Sequence, residues 1–323
     1  MRAIHYDGAT ARYKDDYPEP TAGSGEALIR ISLSALCNTD REVMRGYSPG
    51  FDNVMGHEFV GVVEQCADES LVGKRVVGGI NLSCFKPDCL YCSTGRSTHC
   101  LDRTVLGIID KDGCFADYIS LPVRLLHTVP DSVPDEAAIF TEPLAAALRI
   151  VEQSPIAPDT PVALVGDGRL AFMIAQVIAQ TGASLTIYGK NAAKLEIFSP
   201  FGNTCLIDKL EKGPSDALPL RNTYEVVIDA TGSPDSLATS IALTRSEGLL
   251  IMKSTYTGKA EIDMSQVVVR ELTIRGSRCG PFDEALRYLE RELISLPPVE
   301  IFAPQDFEEA FSSDAFKVAL DFC

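Results

Sequence analysis

The chain has 323 residues, the length of about two average domains. Its formal net charge of −16 at pH 7 argues against nucleic acids and anionic membranes as partners, because phosphate groups would be repelled over most of the surface. No apolar stretch is long enough to predict a membrane span, and the first residues lack the layout of a signal peptide, so the sequence predicts a cytoplasmic protein.

The first part of the chain, to about residue 150, consists mainly of short apolar runs between glycine and proline breaks. Short strands separated by turns predict a partly open β-barrel. The predicted strands span residues 25–36, 58–64, 74–77 and 115–120, and an alanine-rich helical stretch spans residues 136–153.

Side chains that bind metals lie at the ends of these elements. Cys37 follows the first long strand, His57 and Glu58 begin the next, and Glu142 lies ahead of a helix. A thiolate, an imidazole and a carboxylate together predict an open zinc site, with one position left for water or an alkoxide. Each residue taken alone is equally typical of an inert buried thiol or a hydrogen-bonded polar group, so the spacing leaves both interpretations open.

Four cysteines crowd into 17 residues with the spacing C-x4-C-x2-C-x7-C, at Cys84, Cys89, Cys92 and Cys100. Four thiolates can close a tetrahedron around Zn²⁺, and a closed shell leaves no position for a substrate. The spacing therefore predicts a structural zinc site in residues 84–100, which we name the four-cysteine lobe. Buried free thiols or a redox pair are the alternatives.

A proline-rich segment at residues 155–161 predicts a domain boundary. The apolar strand after it runs through a glycine turn into a helix at residues 172–180. In this G-x-G-x-x-A pattern, Gly166 permits the tight turn, Gly168 lets a pyrophosphate approach the backbone, and Ala171 allows close packing of helix and strand. The pattern predicts a dinucleotide-binding turn.

Beyond the turn, strands alternate with helices. Strands are predicted at residues 184–188, 225–230, 248–252 and 272–275, and helices at residues 234–243 and 282–293. This alternation predicts an α/β domain with a parallel sheet wrapped by helices.

The loop after residues 184–188 bears on the choice of cofactor. An Asp or Glu about 20 residues after the glycines would accept hydrogen bonds from the adenosine ribose and would repel a 2′-phosphate. This chain has Gly189, Lys190 and Asn191 there, which favours NADP over NAD. The alternative is that Lys190 is an ordinary solvated lysine. Asp167, within the turn, is an unfavourable charge beside a pyrophosphate.

These motifs, in this order, resemble the zinc-dependent medium-chain dehydrogenase/reductase family of alcohol, sorbitol, threonine and glucose dehydrogenases, over essentially the whole chain. The likeness rests on the four-cysteine lobe and on the motifs at residues 37–40, 56–58, 142–143, 166–171 and 229–232. It implies a GroES-like β-barrel catalytic domain at residues 1–153, completed by 294–323. It also implies a Rossmann domain, a doubly wound parallel sheet, at residues 154–293, after which the chain returns to the first domain.

The resemblance further implies reversible hydride transfer between a secondary alcohol and its ketone, for a polyol, sugar or hydroxy-amino substrate, in a homodimer or homotetramer. Carried over by position, Cys37, His57 and Glu142 bind the catalytic zinc, Glu58 is a further ligand or an exchanging neighbour, and Thr39 takes the alcohol proton. Asp40 is implied to be a carboxylate behind the ligands that can pair with Lys317. The implied cofactor, NADP(H) in preference to NAD(H), would contact Gly166, Gly168, Arg169, Leu170, Gly189, Lys190, Thr231, Gly232 and Ser254.

Two departures from the family pattern stand out. The lobe begins C-x4-C where the family has C-x2-C, and Glu42 stands where many members have a histidine that relays the proton to solvent. A carboxylate can still relay a proton, with a different pH optimum. Two alternatives remain. The first is a quinone- or enone-type reductase of the same fold that has no catalytic zinc and would hold only the structural ion, one zinc per chain. The second is a non-catalytic NADP-binding protein that keeps the lobe.

Overall fold

The computed structural model describes residues 1–207, 222–256 and 258–323. They form two compact units: Met1–Glu142 together with Phe282–Cys323, and Pro143–Pro281. The domain limits at 153/154 and 293/294 stay predictions from the sequence.

The first unit begins with mostly short strands. In chain order they are β1 (Ala3–Tyr6), β2 (Ala11–Lys14), β3 (Glu26–Ala35), β4 (Asn53–Val54), β5 (Glu58–Cys66), β6 (Arg75–Gly78), β7 (Asn81–Leu82), β8 (Thr104–Val105), β9 (Tyr118–Pro122) and β10 (Leu126–Thr128), with helices α1 (Asn38–Met44) and α2 (Asp135–Ala138).

The second unit alternates strands and helices, as predicted. After α3 (Thr141–Gln153), whose first two residues belong to the first unit, come β11 (Pro161–Val165), α4 (Arg169–Ala179), β12 (Ser184–Gly189), α5 (Ala192–Glu196), β13 (Asn203–Leu206), β14 (Tyr224–Asp229), α6 (Ser236–Leu243), β15 (Thr244–Met252), α7 (Met264–Val269) and β16 (Thr273–Gly276). The chain then returns to the first unit with α8 (Phe282–Glu290), β17 (Val299–Phe302), α9 (Phe307–Ser312) and β18 (Lys317–Asp321).

Strand β3 organises the first unit. Its side chains alternate between buried and half-buried over the first six residues and are buried over the last four, as expected of a strand that enters a core. It pairs antiparallel with β5, β9 and β18, and the described sheet has the order β10-β6-β5-β3-β18-β17. The ends of β3 and β5 thereby meet at one place in the core.

The second unit is built on a parallel sheet with the order β13-β12-β11-β14-β15-β16 in the described residues. The strand order reverses direction between β11 and β14, and ligands of such sheets bind at the carboxyl ends of the strands at this point. The glycine turn follows β11 at that edge. None of the helices in the described part of the chain has both the length and the apolar character that a membrane crossing needs.

Candidate active site and cofactor site

Strand pairing brings together donor residues that lie far apart in the sequence. In the β3–β5 pair, Ala35 lies opposite Glu58. Cys37 stands two residues beyond Ala35, and His57 precedes Glu58, so the three donor side chains emerge at the same end of the sheet. Their ligand atoms all lie within 4.8 Å of one another. We name Cys37, His57 and Glu58 the buried trio.

The turn from β3 into α1 fixes Cys37. Cys37 is the extended residue before the helix, and its backbone N–H donates to Asp40 Oδ2 at 2.8 Å. This is half of a capping box, which satisfies an amide at the helix start. Thr39, in the first turn of α1, places its hydroxyl oxygen 3.6 Å from Cys37 Sγ. A hydroxyl group therefore stands directly beside the donor cluster.

A glycine positions His57. Gly56 has φ +93°, and a Cβ there would lie 2.4 Å from the Phe115 ring, so only glycine allows the chain to approach so closely. His57 Nδ1 lies 3.2 Å from Asp40 Oδ1, but without the geometry of a hydrogen bond. Burial by itself would lower the pKa of His57. The charge of Asp40, with a smaller contribution from Cys37, outweighs burial and holds the pKa well above its usual value.

The positive charge that pairs with Glu58 comes from β18, the strand that flanks β3 on the side opposite β5. Strand β18 pairs with β3 through Ala319 and Ala35, and Lys317 at its start donates from Nζ to Glu58 Oε2. The predicted pairing of Lys317 with Asp40 is therefore wrong: the register of β18 directs the ammonium to Glu58, while Asp40 caps α1.

The donor atoms around the trio suit a bound cation. Asp40, His57, Glu58 and Lys317 are all no more than 3% exposed. The Asp40 Oδ1 and His57 Nδ1 atoms lack hydrogen-bond partners in the described structure. An imidazole with a carboxylate at Nδ1 presents its other nitrogen to a metal. The donor set thus fits a zinc ion with three protein ligands and an open position.

Glu142, the predicted third ligand, lies in the first turn of α3 and is half-buried. Among the described residues, it does not bring an oxygen within 4.8 Å of all three donors of the trio. Its role as a ligand stays a prediction.

The four-cysteine lobe is the loop between the paired strands β7 and β8. The Sγ atoms of Cys84 and Cys92 lie 3.7 Å apart, those of Cys89 and Cys100 3.9 Å, and those of Cys84 and Cys100 3.5 Å. Zn–S bonds of about 2.3 Å at tetrahedral angles separate the sulfurs by about 3.8 Å. All four thiols are free, and the lobe fits a closed zinc site.

The backbone of the lobe stabilises the thiolate form of Cys89. The amides of Cys92 and Tyr91 donate to Cys89 Sγ and lower the pKa of its thiol to about 7, whereas burial raises the pKa of Cys92 to about 12. Amide donors stabilise the charged form of the sulfur. Within the wider C-x4-C gap, Phe85 has φ +52°.

At the carboxyl edge of the second unit, the glycine turn lines a cavity of about 140 Å³. A Cβ at Gly166, where φ is +130°, would lie 2.8 Å from Ala230 O, so the turn packs directly against the end of β14. Of the predicted cofactor residues, Gly166, Gly168, Gly189, Lys190 and Thr231 line the cavity, together with Val165, Asp167, Tyr188, Ile207, Ala230 and Ser233. Arg169 and Leu170 open α4, and Gly232 and Ser254 follow β14 and β15 without lining it.

A buried carboxylate holds the far wall of this cavity. Asp229 accepts hydrogen bonds from Ser236 Oγ at 2.6 Å, Ser240 Oγ at 2.8 Å and Thr231 Oγ1 at 2.9 Å. Residues 230–233 are thereby fixed opposite the glycine turn. The sequence contained this residue only as part of a motif, and its partners on α6 could not be read from spacing.

Comparisons with known proteins decide the family. Residues 23–131 match the model of the alcohol dehydrogenase GroES-like domain, and residues 170–293 match that of the zinc-binding dehydrogenases. An L-threonine 3-dehydrogenase of Streptomyces coelicolor is 30% identical over 329 residues, which cover 95% of this chain and 94% of that protein. The chain belongs to the zinc-dependent medium-chain dehydrogenase/reductase family. The L-threonine 3-dehydrogenase of Bacillus subtilis is 28% identical, over 94% of this chain and 92% of its own.

Solved structures show the same fold for this dehydrogenase. Galactitol-1-phosphate dehydrogenase from Escherichia coli superimposes with a TM-score of 0.85 at 21% identity, covering 99% of this chain and 100% of that chain. A zinc-binding dehydrogenase from Sinorhizobium meliloti, bound to NADP, has a TM-score of 0.84 at 24% identity, covering 99% and 98%.

Family membership confirms the predicted fold class, a GroES-like unit with a Rossmann unit, and the predicted enzyme class. This dehydrogenase is an NAD(P)-linked oxidoreductase that acts on CH–OH groups. The roles of single residues stay predictions. Sequence reasoning missed Lys317 as the partner of Glu58 and Asp229 as the brace of the cavity wall, since both contacts depend on distant elements.

Proposed function

We propose that this dehydrogenase interconverts a secondary alcohol and its ketone at the buried trio, by hydride exchange with a nicotinamide cofactor. The observation that carries the proposal is the meeting of a thiol, an imidazole and a carboxylate within 4.8 Å, beside the hydroxyl of Thr39. A reductase that works without a metal has no need for such a cluster of buried metal donors.

Cys37, His57 and Glu58 would hold the catalytic zinc, with Glu142 as the further ligand taken from the family pattern. A zinc ion bound there would supply a Lewis acid that lowers the pKa of an alcohol. The lobe would hold a second, structural zinc, giving two ions per chain. Asp40 keeps His57 oriented through Nδ1, and Lys317 offsets the charge of Glu58.

Thr39 is the group we assign to accept the alcohol proton. Glu42 lies one turn further along α1, so the two side chains share a face of the helix. Glu42 is buried, and its carboxylate accepts from Arg45, whose side chain is 67% exposed. A path for the proton from Thr39 through Glu42 would therefore end at the surface beside Arg45.

The cofactor is proposed to be NADP(H) in preference to NAD(H). Lys190 is exposed at the rim of the cavity, and the buried Gly189 supplies no carboxylate of its own to repel a 2′-phosphate. Arg169, Leu170, Gly232 and Ser254 are assigned to the same cofactor by position.

For the substrate, we propose a small hydroxy-amino compound first, because the curated relatives described above are L-threonine 3-dehydrogenases. A polyol or sugar is the second candidate, supported by the likeness in fold to galactitol-1-phosphate dehydrogenase. The homodimer or homotetramer and the cytoplasmic location remain predictions from the sequence.

Metal analysis and a substrate panel test the proposal. The purified protein should contain two zinc ions per chain and reduce NADP⁺, followed by absorbance, with L-threonine or with a polyol. A single zinc per chain with reduction of quinones or enones would instead favour the metal-independent reductase. Bound nucleotide without turnover of any alcohol, ketone or quinone would favour the non-catalytic alternative.

A further inference from the structure

The side chain of Asp167 crosses from the glycine turn to the loop after β12. Its Oδ2 accepts hydrogen bonds from the backbone N–H of Lys190 at 2.8 Å and of Asn191 at 2.9 Å. Both amides belong to the loop where dinucleotide folds bind the adenosine ribose. The carboxylate that the sequence suggested to be merely unfavourable is therefore anchored at the edge of the cofactor cavity.

The space at position 189 explains why no acidic residue stands there. A Cβ on Gly189 would lie 2.8 Å from Asp167 Cβ, 2.8 Å from Asp167 Oδ2 and 2.8 Å from Leu195 Cδ2. Asp167 and Leu195 thus fill the position from which a strand-end carboxylate would start. A carboxylate is still present at this place, but it is supplied by the glycine turn.

The two oxygens of Asp167 have different surroundings. Oδ2 is held by two amides, whereas Oδ1 has no hydrogen-bond partner among the described residues. The side chain is half-buried and lines the cavity. A carboxylate that lines a ligand cavity and has one oxygen without a protein partner is a good acceptor for a hydroxyl group.

We propose that Asp167 is a specificity-determining residue that takes the place of the missing strand-end carboxylate and accepts a hydrogen bond from the adenosine ribose of NAD(H). The inference rests on the proposed nicotinamide cofactor. Lys190, 23 residues along the chain, carries the opposite charge on the same loop. The carboxylate keeps NAD(H) usable and opposes a 2′-phosphate, while the ammonium attracts that phosphate. The balance of the two gives this dehydrogenase modest discrimination between the cofactors.

The test is equilibrium binding of NAD⁺ and NADP⁺ to the zinc-loaded protein, by calorimetric titration. Asp167→Asn keeps an oxygen to accept from the Lys190 and Asn191 amides but removes the charge. It should raise the ratio of the dissociation constants, NAD⁺ over NADP⁺, by about tenfold, the worth of one hydrogen bond to a charged group. Lys190→Ala should lower the same ratio by weakening NADP⁺ alone.

Asp159→Asn is the matched control. Asp159 is exposed, has φ +64°, which asparagine tolerates, and precedes β11 at the opposite edge of the sheet. It removes the same charge and should leave the ratio unchanged. An unchanged ratio in Asp167→Asn, or equal weakening of both nucleotides, would overturn the inference and leave the proposed function intact. A wild-type protein that binds neither nucleotide would overturn both.

Discussion

The four-cysteine lobe and the buried trio are both clusters of metal donors within 4.8 Å, yet they are built in opposite ways. The lobe draws its four thiols from one continuous loop, and three of them are half-buried. The trio draws one donor from the end of β3 and two from the start of β5, and its histidine and carboxylate are buried.

This difference separates a structural role from a chemical one. Four thiolates would fill the coordination of a zinc ion, so an ion bound there could only hold the loop together. The trio combines three kinds of donor with a neighbouring hydroxyl and a buried ammonium, and mixed, incompletely balanced sites of this kind are where chemistry takes place. Damage to the lobe should therefore cost stability, and damage to the trio should cost activity.

The largest effect is expected from Cys100→Ser in the lobe. Cys100 is fully buried, and structural zinc sites in peptides contribute about 10–16 kcal/mol at neutral pH. We expect the variant to lose one zinc per chain and to melt about 10 °C lower or more, as measured by metal analysis and calorimetry. Cys66→Ser, a half-buried cysteine outside the lobe, is the control and should keep both ions.

Next in size is the effect of His57→Ala in the trio. Loss of the imidazole should reduce turnover by about 10³-fold or more, since a metal in such a site supplies several kcal/mol to the transition state. Zinc content should fall to one ion per chain while the melting temperature stays close to that of the wild type. His127→Ala removes another histidine paired with an aspartate, Asp283, and should remain active. An active His57→Ala protein would contradict the proposed mechanism.

Lys317→Met tests the charge balance of the trio. It leaves Glu58 buried without its ammonium, which should cost about 3–5 kcal/mol in the free energy of unfolding of the metal-free protein. Adding Glu58→Gln to the same chain should recover much of the loss, as urea unfolding would show. A smaller cost in the zinc-loaded protein is expected, because the ion then neutralises the carboxylate. Equal losses with and without zinc would argue against Glu58 as a ligand.

The smallest of these effects, about 10²-fold in kcat, is expected for Thr39→Val, which keeps the side-chain shape and removes the hydroxyl. Thr39→Ser should retain most of the activity, since it keeps the proton acceptor. Zinc content and melting temperature should be unchanged in both. Similar kcat values for the valine and serine variants would exclude Thr39 from proton transfer and leave the metal site standing.

The two clusters differ in how well the sequence predicts them, and the reason is physical. The lobe is local, so spacing alone brings four sulfurs together. The trio depends on the pairing of β3 with β5, so its residue types suggested a zinc site but left an inert interpretation open until the family resemblance was added. Lys317 was paired with Asp40 instead of Glu58, because nothing near Lys317 in the sequence tells which of two buried carboxylates it meets.

The same distinction applies to the fold. The long strands β3 and β5, which are largely buried, were predicted to within two residues. The edge strands β13 and β17 were not predicted, because their side chains are largely exposed or half-buried and show no alternation. The anchoring of Asp167 was not predicted for a related reason, since the amides that donate to it follow the neighbouring strand β12.

The pairing of β18 with β3 also determines when each cluster can form during translation. Lys317 and Glu58 are 259 residues apart, so β3 and β5 leave the ribosome long before the ammonium that neutralises Glu58 exists. All four sulfurs of the lobe are available as soon as residue 100 emerges. The trio reaches its native charge balance only after β18 has been made, when most of the polypeptide has been translated.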